Sequence, residues 1–136
     1  MYQWSERSRN KLNTAHPELQ RLMNEALKHR DITIIEGHRT KEKQDEYFRT
    51  GKSKVQWPNS KHNKMPAMAV DAIPYPFESK DWNDREKFVE FASWIRGLAA
   101  GLGIAVRCGI DWDQDFDLKD TTFFDGPHIE LVVKEE

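Results

Sequence analysis

Between Pro17 and Leu27 apolar residues return at intervals of three and four: Leu19, Leu22, Met23, Ala26 and Leu27 share one face, with polar residues between them. That period predicts an amphipathic helix over "HPELQRLMNEALKHR", with Pro17 suited to the first turn, where its missing amide has no partner to lose. The period then shortens. Ile32 to Glu36 read as a strand and Gly37 as its turn, after which Thr40 caps a helix over "KEKQDEYFRT" that Gly51 stops. Arg39 thus falls at a strand end.

Residues 52–66 have loop composition and lead into an extended run from Ala67 to Tyr75, bounded by Pro74 and Pro76. Helical spacing resumes in "NDREKFVEFASWIRGLAAGLG". Asn83 and Glu86 stand at capping-box spacing, Phe88, Phe91, Ala92, Ile95 and Ala99 form one stripe, and Gly101 and Gly103 close the element. "IAVRCG" reads as a strand, "IDWDQDFDLKDTTFFDGP" as an acidic loop and "HIELVV" as a last strand. The order is helix, strand, helix, strand, helix, strand, strand. It has too few crossover helices for a doubly wound sheet and predicts an α+β fold: a small, mainly antiparallel sheet packed by helices.

Composition narrows the class. At 136 residues the length predicts a single domain over 1–136, with no separate second module. A net charge of −2 and a sequence pI near 6.2 argue against a protein whose affinity comes from neutralising phosphates, so a nuclease reading of "KHNK" finds little support. The single cysteine, Cys108, has no intramolecular partner and reads as a buried thiol. The start "MYQWSERSRN" lacks the apolar core of a signal peptide, and no run reaches the roughly 18 apolar residues of a membrane span. The expected location is the cytoplasm, with passage across a membrane left to another protein.

One residue breaks the pattern. Asp71 lies inside the apolar run "AMAVDAIPY", where a buried carboxylate costs several kcal/mol, by roughly the usual desolvation penalty, unless a partner or a cation compensates it. A catalytic zinc site needs about three N, O or S ligands and an open position. His62, Asp71 and His128 are the economical set, and Asp125, three residues before His128 across "DGPH", is placed to act on water as a general base. Taken singly, each residue also has an ordinary reading. His62 can be a solvated loop histidine, Asp71 a carboxylate bonded to backbone amides, His128 the start of a strand, and Asp125 a turn residue before glycine.

Taken together, "GHRT", "SKHNKMPAMAVDAIPY" and "DGPHIEL" resemble the M15 family of zinc peptidoglycan peptidases, which have the D-Ala-D-Ala carboxypeptidase/hedgehog-like fold. The family includes D-Ala-D-Ala carboxypeptidases, D-Ala-D-Ala dipeptidases and phage L-alanyl-D-glutamate endolysins. Its pattern of Ser-x-His, Ala-x-Asp and an acid three residues before a histidine falls on Ser60, His62, Ala69, Asp71, Asp125 and His128. The resemblance implies Zn2+ on His62, Asp71 and His128, with Asp125 as the base. Arg39 would stabilise the oxyanion and contact substrate, and Ser60 and Gln44 would be further substrate-binding residues. The nine-residue step from His62 to Asp71 is longer than the family's usual seven, so a bulged connector is expected; an aspartate as base fits the endolysin branch.

The implied activity is therefore hydrolysis of the L-alanyl-D-glutamate bond of the stem peptide, for lysis of a host by a phage or prophage. A monomer would be released to the wall by a holin, without stable membrane association or nucleic acid. The alternatives are a D,D-carboxypeptidase or D-Ala-D-Ala dipeptidase, and a non-catalytic metal-containing wall-binding module. Glu130, two residues beyond His128 on the same strand face, is a candidate to orient that ligand. The alternating acids of "DWDQDFDLKD" suggest a cation loop but fail the EF-hand pattern, because Phe116 stands where glycine is required.

Overall fold

The computed structural model describes residues 1–114 and 124–132, so most of the acidic loop singled out above, including Asp115, Phe116 and Asp117, lies outside the described residues. The helices are α1 (Glu6–Leu12), α2 (Pro17–Leu27), α3 (Lys41–Arg49) and α4 (Arg85–Leu102); the strands are β1 (Ile32–Glu36), β2 (Ala69–Pro74), β3 (Val106–Cys108) and β4 (His128–Leu131). The strands form one sheet in the order β1-β2-β4-β3 with every neighbouring pair antiparallel, as the α+β expectation requires.

The two long helices follow their sequence periods. Helix α2 buries Leu19, Leu22, Met23, Ala26 and Leu27, and α4 buries Phe88, Phe91, Ala92, Ile95 and Ala99. Their ends differ in detail from the expectation. Asp84, not Asn83, caps α4 by accepting from the Lys87 amide, while Asn83 ends a separate 3-10 turn, Ser79–Asn83. Gly101 stays helical and Gly103, at φ +75°, supplies the left-handed stop. His16 caps α2 by accepting from the Glu18 amide through its ring Nδ1. Trp57 and Trp82 lie outside the core, 40% and 50% exposed.

Helix α1 was not anticipated, because only Ser8 and Leu12 of its residues are buried and it carries no apolar stripe. Its role is local. It packs on β1, an edge strand, where the Ser8 hydroxyl accepts from the Ile34 amide at 3.0 Å and satisfies a donor the sheet leaves unpaired.

Sheet register divides the two faces by chemistry. Val70 pairs with Ile129, Cys108 with Ile129, and Val106 with Leu131, so these side chains share the face that joins the helices in the hydrophobic core. Asp71 pairs with His128 and Arg107 with Glu130 on the opposite face. An irregularity between Ile34 and Glu36 adds the last member. Ile34 faces Ala72 on the core side, and the shift sets Glu36 against Asp71 instead of continuing that alternation. One face of the sheet thus makes the core, and the other gathers Glu36, Asp71, His128, Glu130 and Arg107.

Candidate metal centre and catalytic cleft

Asp71 owes its position to β2, the strand buried along its whole length between β1 and β4. His128 is brought opposite it by the β2–β4 register. His62 arrives from the connector, in a 3-10 turn (Lys61–Asn63) whose start is fixed by reciprocal bonds. The Ser60 hydroxyl accepts from the His62 amide at 3.2 Å, and Asn63 Oδ1 accepts from the Ser60 amide at 3.1 Å. His62 is 1% exposed, which removes its reading as a solvated loop histidine. The longer interval to Asp71 is absorbed in the segment after this turn, where Met65 is 73% exposed and Ala67 bridges back to Ala15.

The three side chains form a group whose donor atoms all lie within 4.8 Å of one another, and it could hold a metal ion. Tautomer chemistry shows why. His62 Nδ1 lies 2.8 Å from the Gly37 carbonyl, which can only accept, so Nδ1 carries the proton and Nε2 faces Asp71 Oδ1 at 3.1 Å with its lone pair. His128 Nε2 lies 2.8 Å from Glu130 Oε1, an acceptor again, which turns Nδ1 toward the same Asp71 oxygen at 3.4 Å. Two imidazole lone pairs and a carboxylate converge, and only a proton or a cation can satisfy them. The residues therefore fit a divalent ion of zinc type, with two nitrogens and one oxygen as ligands.

The charges in the metal-free protein follow from this crowding. Burial opposes the His128 charge, but the hydrogen bonds to Asp71 and Glu130 outweigh it and push the imidazole up to about 9. Burial alone would raise Asp71; the positive charge and hydrogen bonds that the His62 and His128 rings offer it when a proton takes the place of the cation hold it well below the usual carboxylate range. Asp125 moves the other way. Burial first, and then the Asp71 charge, raise it to about 6.

Asp125 sits where the turn expectation placed it: its carbonyl accepts from the His128 amide at 3.2 Å, and its Oδ2 lies 3.9 Å from His128 Nδ1. Two glycines hold the turn by close approach. The Asp125 amide donates to the Gly109 carbonyl at 3.0 Å, and a Cβ on Gly109 would overlap the Asp125 backbone, as one on Gly126 would overlap the Phe88 ring. Asp125 and His128 line a cavity of about 560 Å³ that also meets Arg39, Ser60, Lys61 and Trp112.

Arg39 reaches that cavity while firmly held. Its Nε and Nη2 donate to the two Glu36 oxygens at 3.1 and 2.8 Å, its Nη1 donates to Gln44 Oε1 at 2.9 Å, and the Tyr47 ring lies 4.6 Å below the guanidinium. Gln44 is fully buried and acts on Arg39, so the structure places it behind the arginine, away from any ligand in the cavity. Ser60 lines the cavity, with its hydroxyl used as the His62 turn cap. Glu130, expected to orient His128, does so, and Arg107 in turn holds Glu130 at 2.9 Å.

Two supporting residues escaped the sequence reading. Glu36 reads as an ordinary strand end, and only the register shift turns it toward Arg39 and Asp71. Gly37 was read as a turn, yet its carbonyl fixes the His62 tautomer, and a methyl group there would overlap the Lys11 carbonyl oxygen and Thr14 Oγ1. Gly37→Ala is expected to cost about 1–3 kcal/mol of stability, read as a lower urea midpoint at unchanged slope. An unaltered midpoint would show that the contact with the end of α1 is loose.

A family model described as the phage L-alanyl-D-glutamate peptidase matches residues 1–132. The L-alanyl-D-glutamate peptidase of Escherichia phage T5 is 33% identical over 136 residues, spanning 96% of this chain and 98% of the relative. A crystal structure of the Serratia marcescens L-Ala D-Glu endopeptidase ChiX is similar at a TM-score of 0.71 and 28% identity, with 97% of this chain and 90% of that one covered. With one family model spanning nearly the whole chain and a full-length relative at this identity, the chain belongs to the phage L-alanyl-D-glutamate peptidase family.

Proposed function

We propose that the protein is a zinc-dependent endopeptidase that hydrolyses the L-alanyl-D-glutamate bond of peptidoglycan stem peptides. The observation that carries this reading is the convergence of two oriented imidazole lone pairs on buried Asp71, beside a cavity lined by His62, His128 and Asp125. His62, Asp71 and His128 would hold the ion, which when bound polarises the scissile carbonyl and acidifies water.

The chain's own residues supply the rest. Asp125, held by its backbone bonds to Gly109 and His128, takes the proton of the attacking water and returns it to the leaving amine. Arg39 has three of its N–H groups engaged by Glu36 and Gln44, which fixes its plane and leaves the others for the developing oxyanion. Glu130 and the Gly37 carbonyl keep both imidazoles in the ligating tautomer. We assign the chain one catalytic domain, acting as a monomer on the wall. Among the described residues no helix is long and apolar enough to cross a membrane, and we assign passage to the wall to a holin.

The test is digestion of purified sacculi with zinc-loaded protein beside a chelated control, with the new ends identified by mass spectrometry. New L-alanine C-termini and D-glutamate N-termini are expected only with metal. Release of free D-alanine would move the activity to a carboxypeptidase, and intact sacculi with zinc bound would leave a wall-binding module.

A further inference from the structure

The cavity in front of the ligand group is lined by cations of unequal availability. Between residues 52 and 61 it meets Lys52, Lys54 and Lys61 and no acid, whereas the segments around β3 and β4 contribute Asp113, Asp125 and Glu130. Arg39 is committed to Glu36 and Gln44, and Arg107 to Glu130. Lys52 is exposed with its ammonium 5.4 Å from the Tyr47 ring centroid, and Lys54, also exposed, has an interaction of its own. Lys61 differs. It is half-buried, it adjoins the ligand His62, and among the described residues no carboxylate pairs with it.

A half-enclosed ammonium with no counter-charge among the described residues favours an anionic group on whatever fills the cavity. The stem peptide offers one at the right place. Its D-glutamate continues the chain through the γ-carboxyl, so the α-carboxylate stays free on the carbon that bears the scissile nitrogen. Whatever holds the scissile bond at the ligand group must also accommodate that negative charge beside it.

We propose that Lys61 binds the free α-carboxylate of the D-glutamate on the leaving-amine side of the scissile bond. This assignment rests on the endopeptidase reading above and deepens it. Lys61 then makes the enzyme selective for stem peptides with a free carboxylate over those in which it is amidated. Arg39, anchored by Glu36 and Gln44, is left for the carbonyl side, so the two cations serve different substrate oxygens.

The experiment compares kcat/KM for N-acetyl-L-Ala-γ-D-Glu-L-Lys and for its counterpart amidated at the α-carboxylate. The wild-type enzyme is expected to prefer the carboxylate, and Lys61→Met to lower that preference by about 10- to 100-fold, the worth of one charge-assisted hydrogen bond. Lys61→Arg should restore part of it, and Lys64→Met, at an exposed position outside the cavity lining, should leave it as in wild type. Binding of the product γ-D-Glu-L-Lys to the chelator-treated protein should weaken in step for Lys61→Met. Equal preference in wild type and Lys61→Met, with cleavage still after L-alanine, would overturn the Lys61 assignment alone. Products cut at another bond would overturn the endopeptidase reading and this assignment with it.

Discussion

Asp125→Asn is expected to lower kcat on sacculi by about 10²- to 10⁴-fold, the usual worth of a positioned general base, while metal affinity stays within a few-fold of wild type. The substitution keeps the size of the side chain, and the backbone bonds that fix the turn, Asp125 to Gly109 and His128 to Asp125, do not involve the carboxylate. The group that could hold a metal ion is His62, Asp71 and His128 without Asp125, so on the proposed zinc reading the ion should remain. The pH profile separates loss of the base from general damage. Burial and the Asp71 charge raise Asp125 to about 6 in the metal-free protein, and a cation among the ligands pulls it back down. The acidic limb of kcat/KM should therefore lie at or below pH 6 in the loaded enzyme and vanish in Asp125→Asn. Turnover retained in the variant would remove Asp125 from the reaction.

Sequence showed the parts of this molecule that repeat or that stand out against their neighbours. The stripes of α2 and α4 were legible because each buries five residues at helical spacing, and Asp71 because an acid inside an apolar strand needs an explanation. The site residues were legible as a set through family resemblance, since spacing alone left each with an ordinary reading. What stayed hidden depends on register or on close approach. Glu36 looks like any polar strand end until the shift after Ile34 sets it against Asp71. Gly37 matters through a carbonyl and a missing Cβ, neither of which has a pattern. Gln44 sits on a mostly polar helix, yet it is the buried residue of α3, because Arg39 and the Val55 carbonyl satisfy its amide. Helix α1 escaped for want of an apolar face.

Loss of His128 should be the most damaging change to the metal centre. Glu130 only orients that imidazole, and Glu130→Gln is expected to weaken zinc binding by about 10- to 100-fold, as for other supporting partners of metal-bound histidines. His128→Ala and His62→Ala each remove one of the three proposed ligands and should exceed that loss, with activity falling alongside. A proton reports the same site independently. In the metal-free protein the bonds to Asp71 and Glu130 raise His128 to about 9, so at pH 7 the imidazole is charged and a metal ion must displace its proton. Zinc uptake should release about one proton at pH 7, and affinity should climb by about tenfold per pH unit until pH approaches 9. Calorimetry in buffers of different ionisation enthalpy measures both quantities. The sign for folding is opposite. A pKa raised above the unfolded value of about 6.5 stabilises the metal-free fold fully below that pH and ceases to do so as pH rises through 9. Chelated protein should therefore lose thermal stability between pH 6.5 and 9 while its affinity for zinc increases. His128→Ala should abolish both trends; wild-type zinc affinity in that variant would show that the ion is held elsewhere.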